Sequence, residues 1–595
     1  MCGIIGYIGN KKANDILLIG LKKLEYRGYD SAGIAISNKG KIQIIKSVGK
    51  VEELERKVNS KDLIASSMGI AHTRWATNGE SSFANAHPHK VGKVTLVHNG
   101  IIENADILKE KLEREGYDFK SDTDSEVVAA LLDSYLKENN EIKAINKTIK
   151  KLIGSYALAI IIDNSKEEMY AVRKDSPLIL APSVDGNFLA SDIPAFTSYT
   201  NKYILLDANN IAKITTNNIE IYNEKLEKIK YIINEVLVDN EDTTKHGYSH
   251  YMLKEINEET VVLDNLIKTY IDNLDNFDLA SYEQIHIVAC GSAMYAGMIG
   301  KYLLTEYAKI STLVEVASEY RYNCNIYDRK TLVIVISQSG ETADTIAALR
   351  KAKDEGITVL AIVNRENSTI AREADKTIYI KAGVEVAVAT TKAYILQVLV
   401  MSLLSYKTAI SKKLLTVEEA NNLKEEYKNI SGLVYQVINK NDIYKEYASG
   451  LAKTNDLFFI GRKMDYAMCL EGSLKMKEIS YIHSEAYQAG ELKHGTISLI
   501  EDKMPVIAII TDEELKEKTI SNVKEVLARR ASVIIVTTDK LKDDRYNNIV
   551  VPAVSPFLQP LLVVPALQLL AFYTALARDC DIDKPRNLAK SVTVE

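Results

Sequence analysis

A cysteine at position 2 sets a thiol beside the initiator methionine, and removal of Met1 would leave that thiol and a free α-amine on one residue. An α-amine titrates near 8, so its neutral fraction can take the thiol proton, and no separate histidine is needed to make the nucleophile. On position alone, a cysteine in a frayed terminus is the plainer reading. Further along, Ser337-Gln338-Ser339-Gly340-Glu341-Thr342 follows an apolar run and opens a helical pattern. Hydroxyls and backbone N–H groups then converge at a helix N-terminus, where a phosphate is favoured; a capping turn is the alternative. Glu471, Lys475 and Glu478 stand at i, i+4 and i+7 and share one helix face, as an acid–base set or as a solvated salt-bridge row. His72, His87, His89 and His98 could be read as metal ligands, with His87 and His89 on one face of a strand. No neighbouring cysteine or spaced carboxylate completes a ligand set, and no metal is expected.

The elements that must position these groups fall into two patterns. Up to residue 238 the chain is dense in short β-branched runs, such as Lys41 to Ile45, Val94 to Val97, Tyr156 to Ile162 and Tyr203 to Leu206. Helical stretches run from Asn14 to Leu24 and from Ser125 to Lys137, with Ser121, Thr123 and Ser125 as capping residues, so an α+β layered domain is expected over 2–238. A polar stretch, Asp239 to His250, begins a linker with leading helices over 239–275. Apolar strands then alternate with amphipathic helices: Ile285 to Ala289, Leu332 to Ile336, Val359 to Val363 and Thr377 to Ile380, and again Leu457 to Ile460, Val506 to Ile510, Val533 to Val536 and Ile549 to Val551. That alternation predicts two α/β domains with parallel doubly wound sheets, at 276–425 and 440–585, related as an internal repeat, before a tail at 586–595.

The chain's 595 residues require several cores, and 46% hydrophobic and 26% charged residues with a net charge of -6 describe a globular protein without a basic stripe for nucleic acid. Five scattered cysteines form no CxxC pair, which argues against a disulfide framework and for a reducing, cytoplasmic setting. The N-terminus lacks the basic and apolar regions of a secretory signal. Phe557 to Ala577 carries no charge and approaches the roughly 20 residues of a spanning helix, but Pro556, Pro560 and Pro565 confine a helix to its later half. A buried helix is expected there, not a membrane span.

The runs Cys2-Gly3-Ile4-Ile5-Gly6, Tyr26-Arg27-Gly28-Tyr29-Asp30-Ser31-Ala32-Gly33, His72-Thr73-Arg74-Trp75-Ala76-Thr77 and Val97-His98-Asn99-Gly100 closely resemble the class II glutamine amidotransferases, an N-terminal-nucleophile hydrolase family. The resemblance implies Cys2 as nucleophile and Asn99 with the Gly100 N–H as oxyanion donors, although Asn-Gly is also a common hairpin turn. It also implies Arg74, Trp75, Thr77, His87 and Asp124 as glutamine-binding residues, with Arg74 taking the α-carboxylate, Asp124 the α-ammonium and Trp75 gating a closed passage for ammonia. Asn78 departs from the usual histidine.

The Cys290-Gly291-Ser292 and Ser337 to Thr342 turns are similar to those of sugar isomerase domains, with Ser292-Ala293 where Thr-Ser is usual. The run from Glu471 through Glu485-Ala486-Tyr487 to Gly490-Glu491-Leu492-Lys493-His494-Gly495, and the tail from Asp583 to Glu595, resemble the family that joins a class II glutaminase to two such domains. That resemblance implies transfer of the amide nitrogen of L-glutamine to D-fructose 6-phosphate and isomerisation to D-glucosamine 6-phosphate, with L-glutamate as second product, the first committed step of hexosamine synthesis. Glu478 is implied as the base, Lys475 as its aid, His494 in ring opening and Lys590 as the Schiff-base amine. Gly291, Ser292, Ser337, Gln338, Ser339, Thr342, Val388 and Ala589 are implied around the phosphosugar. No cofactor and a homodimer are expected. A phosphosugar sensor would not need Glu478, His494 and Lys590 together. An amidotransferase making phosphoribosylamine or asparagine would carry a pyrophosphate-binding acidic strand end or a Ser-Gly-Gly ATP loop, and neither is found.

Overall fold

The computed structural model describes residues 2–38, 40–75, 79–164, 166–235, 244–273, 277–328 and 330–593. The chain divides into two compact units, one of residues 1–241 with 591–595 and one of residues 242–590.

The first unit is layered helix, sheet, sheet, helix. In its eight-stranded antiparallel sheet, strand Gly3–Gly9 lies between Met68–Arg74 and Gly186–Ala190. The seven-stranded sheet is built round Val94–Ile102 and Gly154–Ile162. Side chains alternate across each strand. Ile4 and Ile8 therefore pack between the sheets with Val97, Ala157 and Ala159, while Ile5 and Tyr7 face helix Ala13–Leu24. The same alternation sends Asn99 toward the other sheet and His98 toward helix Asp124–Leu136, where it meets Ser125.

That helix is capped differently from the expectation. Thr123 is the N-cap residue, but its hydroxyl is taken by Ser121 and His89 and makes no cap bond. Glu126 turns back instead, and its carboxylate accepts the Ser121 N–H at 2.7 Å and the Lys120 N–H at 3.1 Å.

The second unit holds two five-stranded parallel sheets of identical strand order. Strand Gln284–Ala289 lies between Ser311–Val316 and Thr331–Ser337, as Asp456–Gly461 lies between His483–Gln488 and Pro505–Ile510. All eight strands read from sequence are present, and the two repeats match in order. Two edge strands, Ser311–Val316 and His483–Gln488, are additional; their partly exposed, polar sequences lack the apolar runs that mark central strands. Two helices, Lys392–Ser411 and Pro560–Ala577, are long and apolar enough to cross a membrane, but nearly all of each lies inside the fold. They fill the core with helices Tyr251–Tyr270 and Val417–Ile438. A helix apolar all round has to be buried.

The second of these helices starts at Pro560 and not in the later half of the 557–577 stretch, where its prolines were expected to confine it. Pro560 sits in the first turn, where no backbone N–H is required, and Pro565 forfeits only one internal bond inside a fully packed helix.

Glu259, on helix Tyr251–Tyr270, is fully buried beside Gln568, and burial holds its carboxyl well above the usual range. The folded chain therefore keeps a proton that the unfolded chain releases above about pH 4.5, so stability falls as pH rises. Glu259→Gln should melt higher than the parent at pH 8, by about 1–3 kcal/mol of unfolding free energy, with the gap closing toward pH 5. Thermal melts of both proteins across that range check it.

Candidate active sites

The candidate glutaminase groups gather at one end of the first unit's sheets. Cys2 precedes strand Gly3–Gly9, and its sulfur accepts the Trp75 N–H at 3.2 Å. Burial pushes the Cys2 thiol up, against the opposing pull of the Trp75 N–H and Arg74. Asn99 donates one amide hydrogen to the Cys2 carbonyl at 2.9 Å, which leaves its second hydrogen for another acceptor. Behind it, His72 Nε2 lies 3.1 Å from Asn99 Oδ1 and 3.0 Å from the His98 carbonyl. His87 Nδ1 also lies 3.0 Å from this nitrogen. The His98 carbonyl can only accept, which places a proton on His72 Nε2, with His87 Nδ1 and Asn99 Oδ1 facing it as acceptors and the Asn99 Nδ2 turned to Cys2. Gly100 follows with φ +126°, and a Cβ there would collide with the Ser155 backbone.

Arg74 ends strand Met68–Arg74 and donates to the Gly79 and Glu80 carbonyls at 3.1 and 3.2 Å. Asp124, buried in the first turn of its helix, accepts the Ile102 N–H at 2.9 Å. The Trp75 ring stands edge-on to Tyr29. Thr77 and Asn78 lie outside the described residues. The His87 ring lies between His72, to which it is tilted, and His89, which it meets edge-on, with ring centroids 4.0 and 4.7 Å away. Burial lowers all four histidines, His72 to about 3, so they form a neutral polar wedge. No cluster suited to a metal occurs among the described residues.

In the second unit, the first sheet's strand order reverses at Gln284–Ala289 and Thr331–Ser337, and both loops leave the same carboxyl edge. Such a switch point is where open α/β sheets bind ligands. Cys290 leads into helix Gly291–Glu306, with Gly291 at φ +55°. Ser337 Oγ sits 2.9 Å from Thr342 Oγ1 and accepts the Gly340 N–H at 3.1 Å, while Ser339 Oγ accepts the Glu341 N–H. Gly340 is at φ +66°, and a Cβ there would strike the Ser368 side chain. The Gln338 carbonyl ties the turn to Asn364.

The acid–base row lies on helix Met464–Ser480, and the solvated reading fails there: Lys475 is 0% and Glu471 1% exposed. Lys475 Nζ sits 2.5 Å from Glu478 Oε2 and 3.5 Å from Glu471 Oε1. Burial works to lower the Lys475 pKa, but Glu471 and Glu478 outweigh it and hold the amine protonated. Burial pushes the Glu471 carboxyl up to about 7 despite Lys475. Lys590, beside Ala589, is half-buried, with its side chain only 6% exposed. Its Nζ donates to Glu385 Oε2 at 2.5 Å and to the Ala387 carbonyl at 2.7 Å. Val388 N–H donates to the Asp583 carbonyl. His494 closes the exposed turn Glu491–His494 and makes no hydrogen bond or ion pair among the described residues.

Residues 72–198 match the glutamine amidotransferase domain family, and residues 278–406 and 450–578 each match the SIS domain family. Glutamine–fructose-6-phosphate aminotransferases (isomerizing) of Clostridium acetobutylicum, Caldanaerobacter subterraneus subsp. tengcongensis and Thermus thermophilus are 45%, 46% and 42% identical, each aligned over the full length of both chains. The chain belongs to the isomerizing glutamine–fructose-6-phosphate aminotransferases. A solved C-terminal domain of this family's glucosamine–fructose-6-phosphate aminotransferase from Francisella tularensis matches 58% of the chain and 100% of its own length, with TM-score 0.56 and 37% identity.

Family membership leaves two groups that sequence reading had passed over. Glu385 stands alone among small apolar residues with no sequence marker, and His72 is marked only by its family run and as one of four histidines, with no role of its own. Its role behind Asn99 shows only when two strands from different sheets meet.

The depressed histidines carry a stability consequence. The unfolded chain binds protons at these sites below about pH 6.5 and the folded chain does not, so the first unit loses stability as pH falls. Each histidine costs up to about 1.4 kcal/mol per pH unit. Melting of the first unit should decline from pH 6.5 to 5, and His87→Gln should make that decline shallower; a flat profile would contradict it.

Proposed function

We propose that the two units divide one reaction between them. The enzyme transfers the amide nitrogen of L-glutamine to D-fructose 6-phosphate and isomerises the product to D-glucosamine 6-phosphate, releasing L-glutamate. The observation carrying the assignment of roles is that each unit holds its own ordered set: Cys2 with Asn99 in the first, and Lys475–Glu478 with Lys590–Glu385 in the second.

In the first unit, Arg74 pairs with the glutamine carboxylate and Asp124 with its ammonium, with Trp75, Thr77 and His87 completing the pocket. The Cys2 sulfur attacks the carboxamide carbon while the α-amine takes the thiol proton. The free Asn99 hydrogen and the Gly100 N–H hold the tetrahedral oxygen, where one lost donor costs about 3 kcal/mol. Collapse returns the proton to the leaving nitrogen and releases ammonia, and water then cleaves the glutamyl thioester to glutamate.

In the second unit, Ser337, Gln338, Ser339 and Thr342 hold the phosphate at the helix N-terminus. Gly291, Ser292, Val388 and Ala589 line the sugar. His494 assists ring opening. Lys590 forms an imine at C2 with release of the carbonyl oxygen as water, and ammonia adds to that imine and expels the lysine amine to give the sugar imine. Glu478 then removes a proton from C1 and delivers it to C2, steadied by Lys475, while the O1 hydroxyl proton passes to the imine nitrogen, leaving the C2 amine and a C1 aldehyde. Glu385 pairs with the Lys590 side chain at rest, so the pair must separate before the amine can attack.

A homodimer with the sugar site shared between protomers is part of the proposal. An exposed His494 without a partner among the described residues of its own chain supports that reading. Mixing inactive His494→Ala and Lys590→Ala proteins should then restore activity through mixed dimers. The five free cysteines suit a cytoplasmic setting.

Cys2→Ala supplied with ammonium should keep making glucosamine 6-phosphate, while its glutamine-dependent rate falls about 1000-fold or more. Mass spectrometry should find Cys2 as the first residue of the active enzyme. Met1 retained in active enzyme, or glutamine use by the variant, would overturn the assignment.

A further inference from the structure

The segment that receives Lys590 is short and irregular. Between strand Lys376–Tyr379 and helix Lys392–Ser411, residues 380–391 have no ladder of their own, yet Glu385 and the Ala387 carbonyl must point at one ammonium. Glu385 is anchored from its own side by the Thr391 and Ala393 N–H groups, both at 3.0 Å, and by the Thr390 hydroxyl. The peptide groups of Val386 and Ala387 have no comparable local partner. Their N–H groups are taken by the carboxyl Oε1 of Glu255, at 2.5 and 3.2 Å, reaching in from helix Tyr251–Tyr270.

We infer that Glu255 is a positioning residue for the sugar site: by accepting the Val386 and Ala387 N–H groups it turns the Ala387 carbonyl and the Glu385 carboxylate toward Lys590. The inference rests on the reading of Lys590 as the imine-forming amine. Glu255 holds the two peptide groups that lead up to the Ala387 carbonyl, and the Asp583 carbonyl takes the Val388 N–H of that carbonyl's own peptide, so the carbonyl is left facing Lys590. Without an acceptor, the buried Ala387 N–H and the half-buried Val386 N–H would have to rotate the segment toward water. The helix bearing Glu255 is itself pinned to the tail, since the Tyr251 and Met252 N–H groups donate to the Asp583 carboxylate at 2.9 and 3.0 Å. Asp583 also receives the Val388 N–H on its carbonyl. One helix end thus holds both sides of the Lys590 cradle.

Glu255 acts here as an acceptor and not as a charge. Burial, with Glu385 beside it, pushes its carboxyl up to about 8, and its Oε2 has no hydrogen-bond partner among the described residues. At neutral pH it is mostly the protonated acid, for which glutamine is a close mimic because its amide oxygen can accept the same two N–H groups.

The test compares Glu255→Gln and Glu255→Leu in the full-length enzyme by ammonia-dependent glucosamine 6-phosphate formation. Glutaminase activity without sugar and the melting temperature serve as controls. Glu255→Gln should stay within about threefold of the parent, while Glu255→Leu should lose about 100-fold in kcat with a smaller change in KM for fructose 6-phosphate and intact glutaminase activity. Equal, large losses in both folded variants would overturn the inference by pointing to a role for the charge, and full activity in Glu255→Leu would overturn it by showing no role. If Glu255→Leu does not fold, Glu255→Gln decides alone: retention upholds the inference and a loss of about 100-fold overturns it. A Lys590→Met control separates the two readings, because full activity there removes the imine role of Lys590 whatever the Glu255 variants do.

Discussion

An ammonium taken out of water must touch a negative group or give up its proton, and the proposed sugar site of the second unit depends on that constraint. Lys475 is fully buried between Glu471 and Glu478, and Lys590 is buried against Glu385. Each pairing fixes a side chain that would otherwise sample many rotamers. The cost is paid in displaced pKa values, which is where acid–base chemistry is expected. Burial raises Glu471, while the Lys590 ammonium and backbone N–H donors more than offset the burial of Glu385 and hold that carboxyl low. The first unit meets the same constraint differently, by keeping four buried histidines neutral and using one as a hydrogen-bond donor behind Asn99.

The internal repeat separates fold from site. Both five-stranded sheets reverse their strand order at corresponding central strands. In the first sheet that corner carries the hydroxyl-rich turn Ser337 to Thr342. In the second, Asp465 fills it, its carboxylate accepting the Thr511 N–H at 3.0 Å and the Thr511 hydroxyl at 2.5 Å. Burial raises Asp465 to about 7, and a carboxyl there is no cradle for phosphate. The second sheet contributes helix Met464–Ser480 instead, so two copies of one fold supply different halves of the proposed sugar chemistry.

Central parallel strands were readable because burial on both faces demands unbroken Val and Ile runs such as Leu332 to Ile336. Edge strands were not, because His483-Ser484-Glu485-Ala486-Tyr487-Gln488 has little to bury. Helix starts misled where proline was treated only as a breaker. For the sites, groups in compact motifs could be named in advance, whereas those brought in by tertiary packing could not. Glu255 lies in the charged run Lys254-Glu255-Ile256-Asn257-Glu258-Glu259, which carries no motif, yet Lys254, Glu255 and Glu259 are all buried. Only the packing of that helix beside the 385–388 segment reveals its use.

The central claim is that Lys590, poised by Glu385, forms an imine with the sugar. Borohydride reduction of the enzyme with fructose 6-phosphate, followed by peptide mass mapping, tests it most directly. The account predicts one sugar phosphate fixed to Lys590 through a secondary amine. An adduct on Lys475 instead, or none under conditions that support turnover, would contradict it.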